Sequence, residues 1–151
     1  MSVLYIGAAG ARPAEVFVGG LPLKTSEGAT VLIVDDDAVV GDMYKLALSR
    51  AGYRVVVARS GIEGLRLAED RSLQIVFLDI RMPGMDGIEV LRQLRTKPET
   101  RDLPVVMLSN YDDSYYMSES IRLGAQEYLV KAGINPADLV AVIARWGRST
   151  P

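Results

Sequence analysis

The sequence predicts an α/β domain of three layers, with a parallel sheet between two layers of helices. Three observations lead there. Short runs that are apolar throughout recur along the chain: Val31-Leu32-Ile33-Val34, Ile75-Val76-Phe77-Leu78 and Val105-Val106-Met107-Leu108. Such runs read as strands covered on both faces. Segments with apolar residues at helical spacing alternate with them. Finally, these runs lead directly into an acid or a hydroxyl: Asp35-Asp36, Asp79 and Ser109 respectively.

The regular pattern begins at Thr30. Asp37 is placed to cap the first helix, whose expected buried face carries Val40, Met43, Tyr44, Ala47, Leu48 and Ala51. Gly52 closes that helix in the left-handed position. Arg54 to Ala58 form the second strand. Ser60 and Glu63 have the spacing of a capping box, which predicts a second helix through about Arg71 that buries Leu65 and Ala68. The third strand ends at Asp79, and Met82-Pro83-Gly84 and Asp86-Gly87 turn the chain just beyond it. Ile88, Leu91 and Leu94 mark the third helix. A polar loop from Lys97 to Leu103 leads to Pro104 and the fourth strand. Asp112-Asp113-Ser114 caps a fourth helix, which Gly124 closes. Glu127 to Val130 form the fifth strand and deliver Lys131. Asn135-Pro136 predicts a cap followed by proline at the first helical position, and Leu139, Val142, Ile143 and Trp146 give the fifth helix its apolar face. Residues 1–28 differ: Gly and Ala are frequent, Gly19-Gly20 and Pro22 interrupt, and only Val16-Phe17-Val18 could make a short strand. They read as a flexible extension ahead of a domain over residues 29–148.

Composition excludes several function classes. The chain of 151 residues suggests one domain with a real core. A net charge of −2 and a pI near 5.2 give no electrostatic footprint for nucleic acid. Without cysteine, neither a disulfide framework nor a thiolate metal site can form. Without histidine, there is no His-based triad, no His metal ligand and no phosphohistidine of the chain's own. No apolar run approaches the ~18 residues of a membrane span. The apolar stretch at residues 3–11 lacks the preceding positive charge of a signal peptide. A cytoplasmic protein is expected.

A parallel sheet places its site outside the carboxyl ends of the strands. Asp35, Asp36, Asp79, Ser109 and Lys131 would then gather at one edge. Carboxylates that close raise each other's pKa unless a cation intervenes. Oxygen donors without His or Cys suit Mg²⁺. Lys131 supplies charge and Ser109 a donor for phosphoryl oxygens. Acids, a metal and phosphate-binding groups together describe phosphoryl transfer to a carboxylate. Taken singly, each residue has an ordinary reading: Asp37 as a helix cap, Ser109 as a turn residue, Lys131 as surface charge. Their joint placement at successive strand ends carries the inference.

The same pieces carry a resemblance: Val34-Asp35-Asp36, Leu78-Asp79 with Met82-Pro83-Gly84-Met85-Asp86-Gly87, Leu108-Ser109 and Tyr128-Leu129-Val130-Lys131. Residues about 29–148 resemble a response-regulator receiver domain of two-component signalling. The resemblance implies a flavodoxin-like (βα)5 fold with strand order 2-1-3-4-5. It implies Asp79 as phosphoacceptor, and Asp36, Asp79 and the backbone carbonyl of Arg81 as Mg²⁺ ligands, with Asp35 acting through water. Ser109 and Lys131 would hold the phosphoryl group, and Tyr128 would be the switch aromatic. A histidine kinase, a phosphotransfer protein or a small phosphodonor would supply the phosphoryl group. The chain would catalyse only its own phosphorylation and slow dephosphorylation. No effector module follows residue 148, so output is expected by protein contact or onward transfer. The expected surface is the fourth helix, fifth strand and fifth helix, with Tyr115, Tyr116 and Trp146, and a homodimer through that face is expected on phosphorylation.

Two positions depart from the family pattern. Ala132 follows Lys131 where the family usually has a cis proline. A cis bond there would cost ~3 kcal/mol, so a trans bond and a shifted loop are expected. Asn110 and Tyr111 follow Ser109, and Tyr111 with Arg81 is expected to shield an acyl phosphate from water. Two other readings remain. Asp35-Asp36-Asp37-Ala38-Val39 also fits a haloacid-dehalogenase-like phosphohydrolase with Asp35 as nucleophile, which would leave Asp79 idle. A receiver-like adaptor that is never phosphorylated is the other, against which the intact acid set counts.

Overall fold

The structure, a computed structural model, describes residues 30–110 and 112–149 together with the backbone of three short strands before them. Those strands, β1 (Val3–Ile6), β2 (Glu15–Val18) and β3 (Leu21–Leu23), form an antiparallel sheet in that order. The expected strand at Val16-Phe17-Val18 is present as β2, paired on both sides. The other two were missed, although Gly19-Gly20 between β2 and β3 is a hairpin-turn composition. The expected flexibility of the remainder of residues 1–28, and the screening role of Tyr111, lie outside the described residues.

The main sheet contains β4 (Thr30–Val34), β5 (Arg54–Ala58), β6 (Leu73–Asp79), β7 (Val105–Ser109) and β8 (Glu127–Val130). All neighbours are parallel and the spatial order is β5-β4-β6-β7-β8, which is 2-1-3-4-5 for this sheet. The helices are α1 (Ala38–Arg50), α2 (Gly61–Leu67), α3 (Gly87–Thr96), α4 (Ser114–Arg122) and α5 (Asp138–Trp146). Alternate residues of one strand enter opposite cores. Val31 and Ile33 join Tyr44, Leu48, Phe77, Leu139 and Ile143 on the side of α1 and α5. Leu32 and Val34 join Leu78, Leu91, Leu94 and Met107 on the other side. This two-sided burial is why the strands read as unbroken apolar runs.

Side-chain caps start most of the helices. Asp37 Oδ1 accepts from Val39 N and Val40 N at 3.0 and 3.2 Å. Asp86 accepts from Glu89 N, and Asp113 from Tyr115 N, each at 2.9 Å. Ser60 accepts from Glu63 N at 3.2 Å, but Glu63 reaches back to the backbone N–H of Arg59, at 3.1 Å, rather than to that of Ser60.

Four further sequence expectations need correction. Met43 is exposed, not buried. The first helix seats Gly41, Tyr44 and Leu48 instead, and a Cβ on Gly41 would stand 3.2 Å from the Val57 side chain. α2 ends at Leu67, not near Arg71. Its last backbone bonds tighten to Glu69 N→Arg66 O and Asp70 N→Leu67 O, and Asp70 Oδ1 then accepts from Ser72 N at 2.8 Å to turn the chain into β6. α5 proper starts at Asp138, not Pro136. The intervening turn is closed by Asp138 N→Asn135 O, while Asn135 Oδ1 still accepts from Ala137 N. Trp146 does not complete the buried face of α5: it is partly open, and its Nε1 donates to Glu127 Oε2 at 2.7 Å.

Candidate functional site

Strand register brings the expected residues together. Asp79 is the last residue of β6 and pairs with Leu108, one residue before Ser109. Ser109 in turn pairs with Val130, one residue before Lys131. Asp35 and Asp36 follow the end of β4, beside β6. Asp35 is 1 % exposed and Asp79 6 %, while Asp36 is open to solvent. One oxygen from each of the three carboxylates lies within 4.8 Å of the others. Lys131 leaves β8 in a short 3-10 turn, Lys131–Gly133. Its Nζ stands 2.7 Å from Asp35 Oδ2 and 3.2 Å from Asp79 Oδ1. Asp35 Oδ1 accepts from the Asp37 backbone N–H at 2.9 Å, so both Asp35 oxygens are engaged.

The electrostatics set Asp79 and Lys131 apart from an ordinary surface pair. Burial, together with the charges of Asp35 and Asp36, pushes the Asp79 carboxyl up to about 6 against the pull of Lys131. Burial alone would lower the Lys131 ammonium, but Asp35 and Asp79 outweigh it and hold it above the ordinary lysine range. The donor set is all oxygen, and two of the three clustered carboxylates, Asp35 and Asp79, share one ammonium. That chemistry fits a hard divalent cation such as Mg²⁺.

A close approach shapes the loop after Asp79. The Gly87 N–H donates to Ile80 O at 2.7 Å. A Cβ on Gly87 would lie 2.1 Å from the Asp79 carbonyl oxygen, so only glycine fits there. The sequence marked Asp86-Gly87 as a turn but not as this contact. Among the described residues every peptide bond is trans, Lys131–Ala132 included.

The remaining expected residues scatter. Tyr128 pairs with Met107 and packs partly against the core on the α3 side. Tyr115 is 65 % exposed, whereas Tyr116 is partly buried against that same core. The two rings meet edge to face at 5.5 Å, and the Arg81 guanidinium carbon stands 5.8 Å from the Tyr116 ring centre. Arg145 and Trp146 both bind Glu127. Sequence reasoning missed an exposed apolar row on α1, Val39, Met43 and Leu46. The spacing of 39, 43 and 46 shows that row, but only Met43 was assigned a place, in the core, and Val39 and Leu46 were given none.

Comparison with known proteins agrees with this geometry. The family model described as the response regulator receiver domain matches residues 31–144. The transcriptional regulatory protein AfsQ1 of Streptomyces coelicolor is 34% identical over 102 residues, covering 68% of this chain and 44% of that protein. The phosphate regulon transcriptional regulatory protein PhoB of Pseudomonas aeruginosa is 34% identical over 114 residues, covering 76% and 49%. The chain spans about half the length of these curated relatives. Among solved structures, the Vibrio cholerae chemotaxis protein CheY4 is 31% identical with a TM-score of 0.73, covering 79% of this chain and 98% of that one. The receiver domain of sensor histidine kinase PA1611 of P. aeruginosa, solved with a magnesium ion coordinated in the active site cleft, is 28% identical with a TM-score of 0.71, covering 79% and 97%. With the match over residues 31–144 and the sheet order pointing the same way, the chain belongs to the response regulator receiver domain family.

Proposed function

We propose that this receiver accepts a phosphoryl group on Asp79 from a histidine kinase or phosphotransfer protein, with Mg²⁺ bound beside it. The observation that carries the reading is Lys131 Nζ at 2.7 Å from Asp35 and 3.2 Å from Asp79, an ammonium held at the acid that would react. Asp36, Asp79 and the Arg81 backbone carbonyl would hold the cation, and Asp35 would act through water. Bound there, Mg²⁺ would neutralise charge on the carboxylates and on the phosphoryl oxygens. Asp79 attacks phosphorus as the carboxylate. The phosphorus–nitrogen bond of the donor breaks, its electron pair stays on the imidazole, and solvent supplies the proton. Lys131 exchanges a carboxylate oxygen for a phosphoryl oxygen, and the Ser109 hydroxyl donates to another.

The exposed row Val39, Met43 and Leu46 lies on the helix that begins three residues after Asp35, so we assign it to the docking of the donor protein. Output would use Tyr115 and Trp146 with Tyr128 as the switch aromatic, through protein contact, onward transfer or a homodimer. Tyr116 would contribute only from beneath. The relatives named as transcriptional regulators are about twice the matched length, so an output on DNA would belong to residues outside a receiver. For the receiver itself, at net charge −2, we propose protein partners only. No helix of the described residues is long and apolar enough to cross a membrane. We place the protein in the cytoplasm with its donor. Asp35 is fixed through both oxygens, by the Asp37 N–H and Lys131, whereas Asp79 meets Lys131 through one, which favours Asp79 over Asp35 as the nucleophile.

The test is intact mass after incubation with acetyl phosphate and Mg²⁺, beside Asp79→Asn. A gain of one phosphoryl group that the variant loses supports the reading. A gain kept in Asp79→Asn and lost in Asp35→Asn overturns it in favour of the phosphohydrolase. No gain, from acetyl phosphate or a phosphorylated donor protein, leaves the adaptor reading.

A further inference from the structure

Two features outside the acid cluster meet at one side chain. Arg81 follows Asp79 by two residues, so the two backbones stay within about 7 Å. Its guanidinium carbon lies 5.8 Å from the centre of the Tyr116 ring. Tyr116, in the first turn of α4, is packed against the core, and its ring edge meets the exposed Tyr115 at 5.5 Å and 65°. The backbone around Arg81 is anchored, because Asp79, Ile80 and Met82 are all buried while Arg81 itself is exposed. The long side chain can therefore change partner without moving the loop.

We propose that Arg81 is a further phosphoryl-recognising cation, held over Tyr116 in the unmodified protein and transferred to the phosphoryl group when Asp79 carries one. The inference rests on Asp79 being the phosphoacceptor. Lys131 already bridges Asp35 and Asp79, and the Arg81 guanidinium stands by the Tyr116 ring. A phosphoryl group adds up to two negative charges, more than one ammonium offsets. A cation 5.8 Å from the centre of a half-buried ring, on a side chain itself exposed to water, is a weak attraction. A guanidinium on phosphoryl oxygens forms charge-assisted, two-point hydrogen bonds, so the phosphoryl group wins the competition. Tyr116 then loses its cation while its ring stays packed, and the Tyr115–Tyr116 pair carries the change to the surface of α4. Linkage makes the effect reciprocal: a partner that grips the exposed Tyr115, and through it shifts Tyr116, alters how readily Arg81 serves the phosphoryl group.

The experiment uses the full chain, Mg²⁺ and acetyl phosphate, with intact mass to score occupancy of Asp79 and NMR to follow the Arg81 Nε–Hε resonance. Without phosphoryl the resonance should be shifted upfield by the ring, and that shift should vanish in Tyr116→Leu and persist in Tyr116→Phe. On phosphorylation it should move downfield. The acetyl phosphate concentration for half occupancy should fall about 2- to 5-fold in Tyr116→Leu. It should stay at the wild-type value in Tyr116→Phe. In an Arg81→Met background, Tyr116→Leu should have no further effect. An equal Tyr116→Leu effect in both backgrounds, or an Arg81 resonance that does not move in protein whose mass shows the phosphoryl group, overturns the proposal alone. The resonance measurement needs no variant. If the mass shows no phosphoryl group on Asp79, the phosphoacceptor reading fails and takes this one with it.

Discussion

α3 and α4 lie on the same face of the sheet, yet they are attached in different ways. α3 buries Gly87, Ile88, Val90, Leu91 and Leu94, while α4 buries only Ser120. The large side chains of α4 face outward or lie only half covered: Tyr115, Met117 and Ile121 are exposed and Tyr116 is partly buried. What α4 lacks in apolar burial is replaced by polar ties at its two ends. Asp113 caps its start. At its far end the Arg95 guanidinium, on α3, donates to the carbonyls of Leu123 at 3.1 Å and Gly124 at 2.9 Å, and also to Leu103 at 2.9 Å. A helix held by burial is fixed, whereas one held by a few exchangeable hydrogen bonds and one ring–cation contact can shift at small cost. That contrast is what the reporting role proposed for α4 requires.

The largest expected effect tests the fixed helix. Leu91→Ala removes a fully buried side chain of α3 and should cost about 2–5 kcal/mol in urea unfolding, whereas Ile121→Ala on α4 should stay within about 0.5 kcal/mol. Equal costs would erase the contrast. The next concerns the acid to which α4 is proposed to respond. Folding raises the Asp79 pKa from 3.8 to about 6, so the native state holds the proton more tightly than the unfolded chain. Metal-free protein should therefore lose stability as pH rises from about 4 to about 6, on the order of 3 kcal/mol in total. In Asp79→Asn, or with Mg²⁺ present, that slope should flatten. Thermal melts across the window would read it, and a stability that rises through it would contradict the burial of Asp79.

Two smaller effects sharpen the polar side of the comparison. Arg95→Met should cost about 1–3 kcal/mol by leaving carbonyls without a donor. It should speed amide exchange in α4 while leaving α3 amides near wild type. Uniform acceleration of both helices would mean that Arg95 supports the whole layer rather than α4. Asp113→Ala removes the cap and should cost about 1 kcal/mol, with fraying confined to the first turn of α4.

The strand runs were readable in advance because each is apolar at every position, and a parallel sheet covered on both faces demands that. The caps Asp37, Asp113 and Ser60 were readable for a similar reason: one side chain meeting one N–H two or three residues away is a local event. Where the reading went astray, the competing interaction was distant in sequence. Met43 has the right spacing for a buried face, but Gly41 against Val57 turned the helix so that Met43 faces out. Trp146 looks like a core residue of α5, and Glu127 of the neighbouring strand holds its ring nitrogen instead. Tyr116 looked like surface until α4 was set against the core, under Arg81.

The amino-acid order alone thus settles the five strands of the main sheet and the existence, though not every end, of the five helices, and which acids, hydroxyl and lysine stand at strand ends. Those properties depend on neighbours within a turn or a strand. Packing settles the rest. Lys131 lies between Asp35 and Asp79, residues far away along the chain, because parallel register aligns β4, β6 and β8 at a common edge. The raised pKa of Asp79, the close fit of Gly87 and the Arg81–Tyr116 contact arise the same way. Each is a matter of ångström distances between groups that only the folded chain brings together.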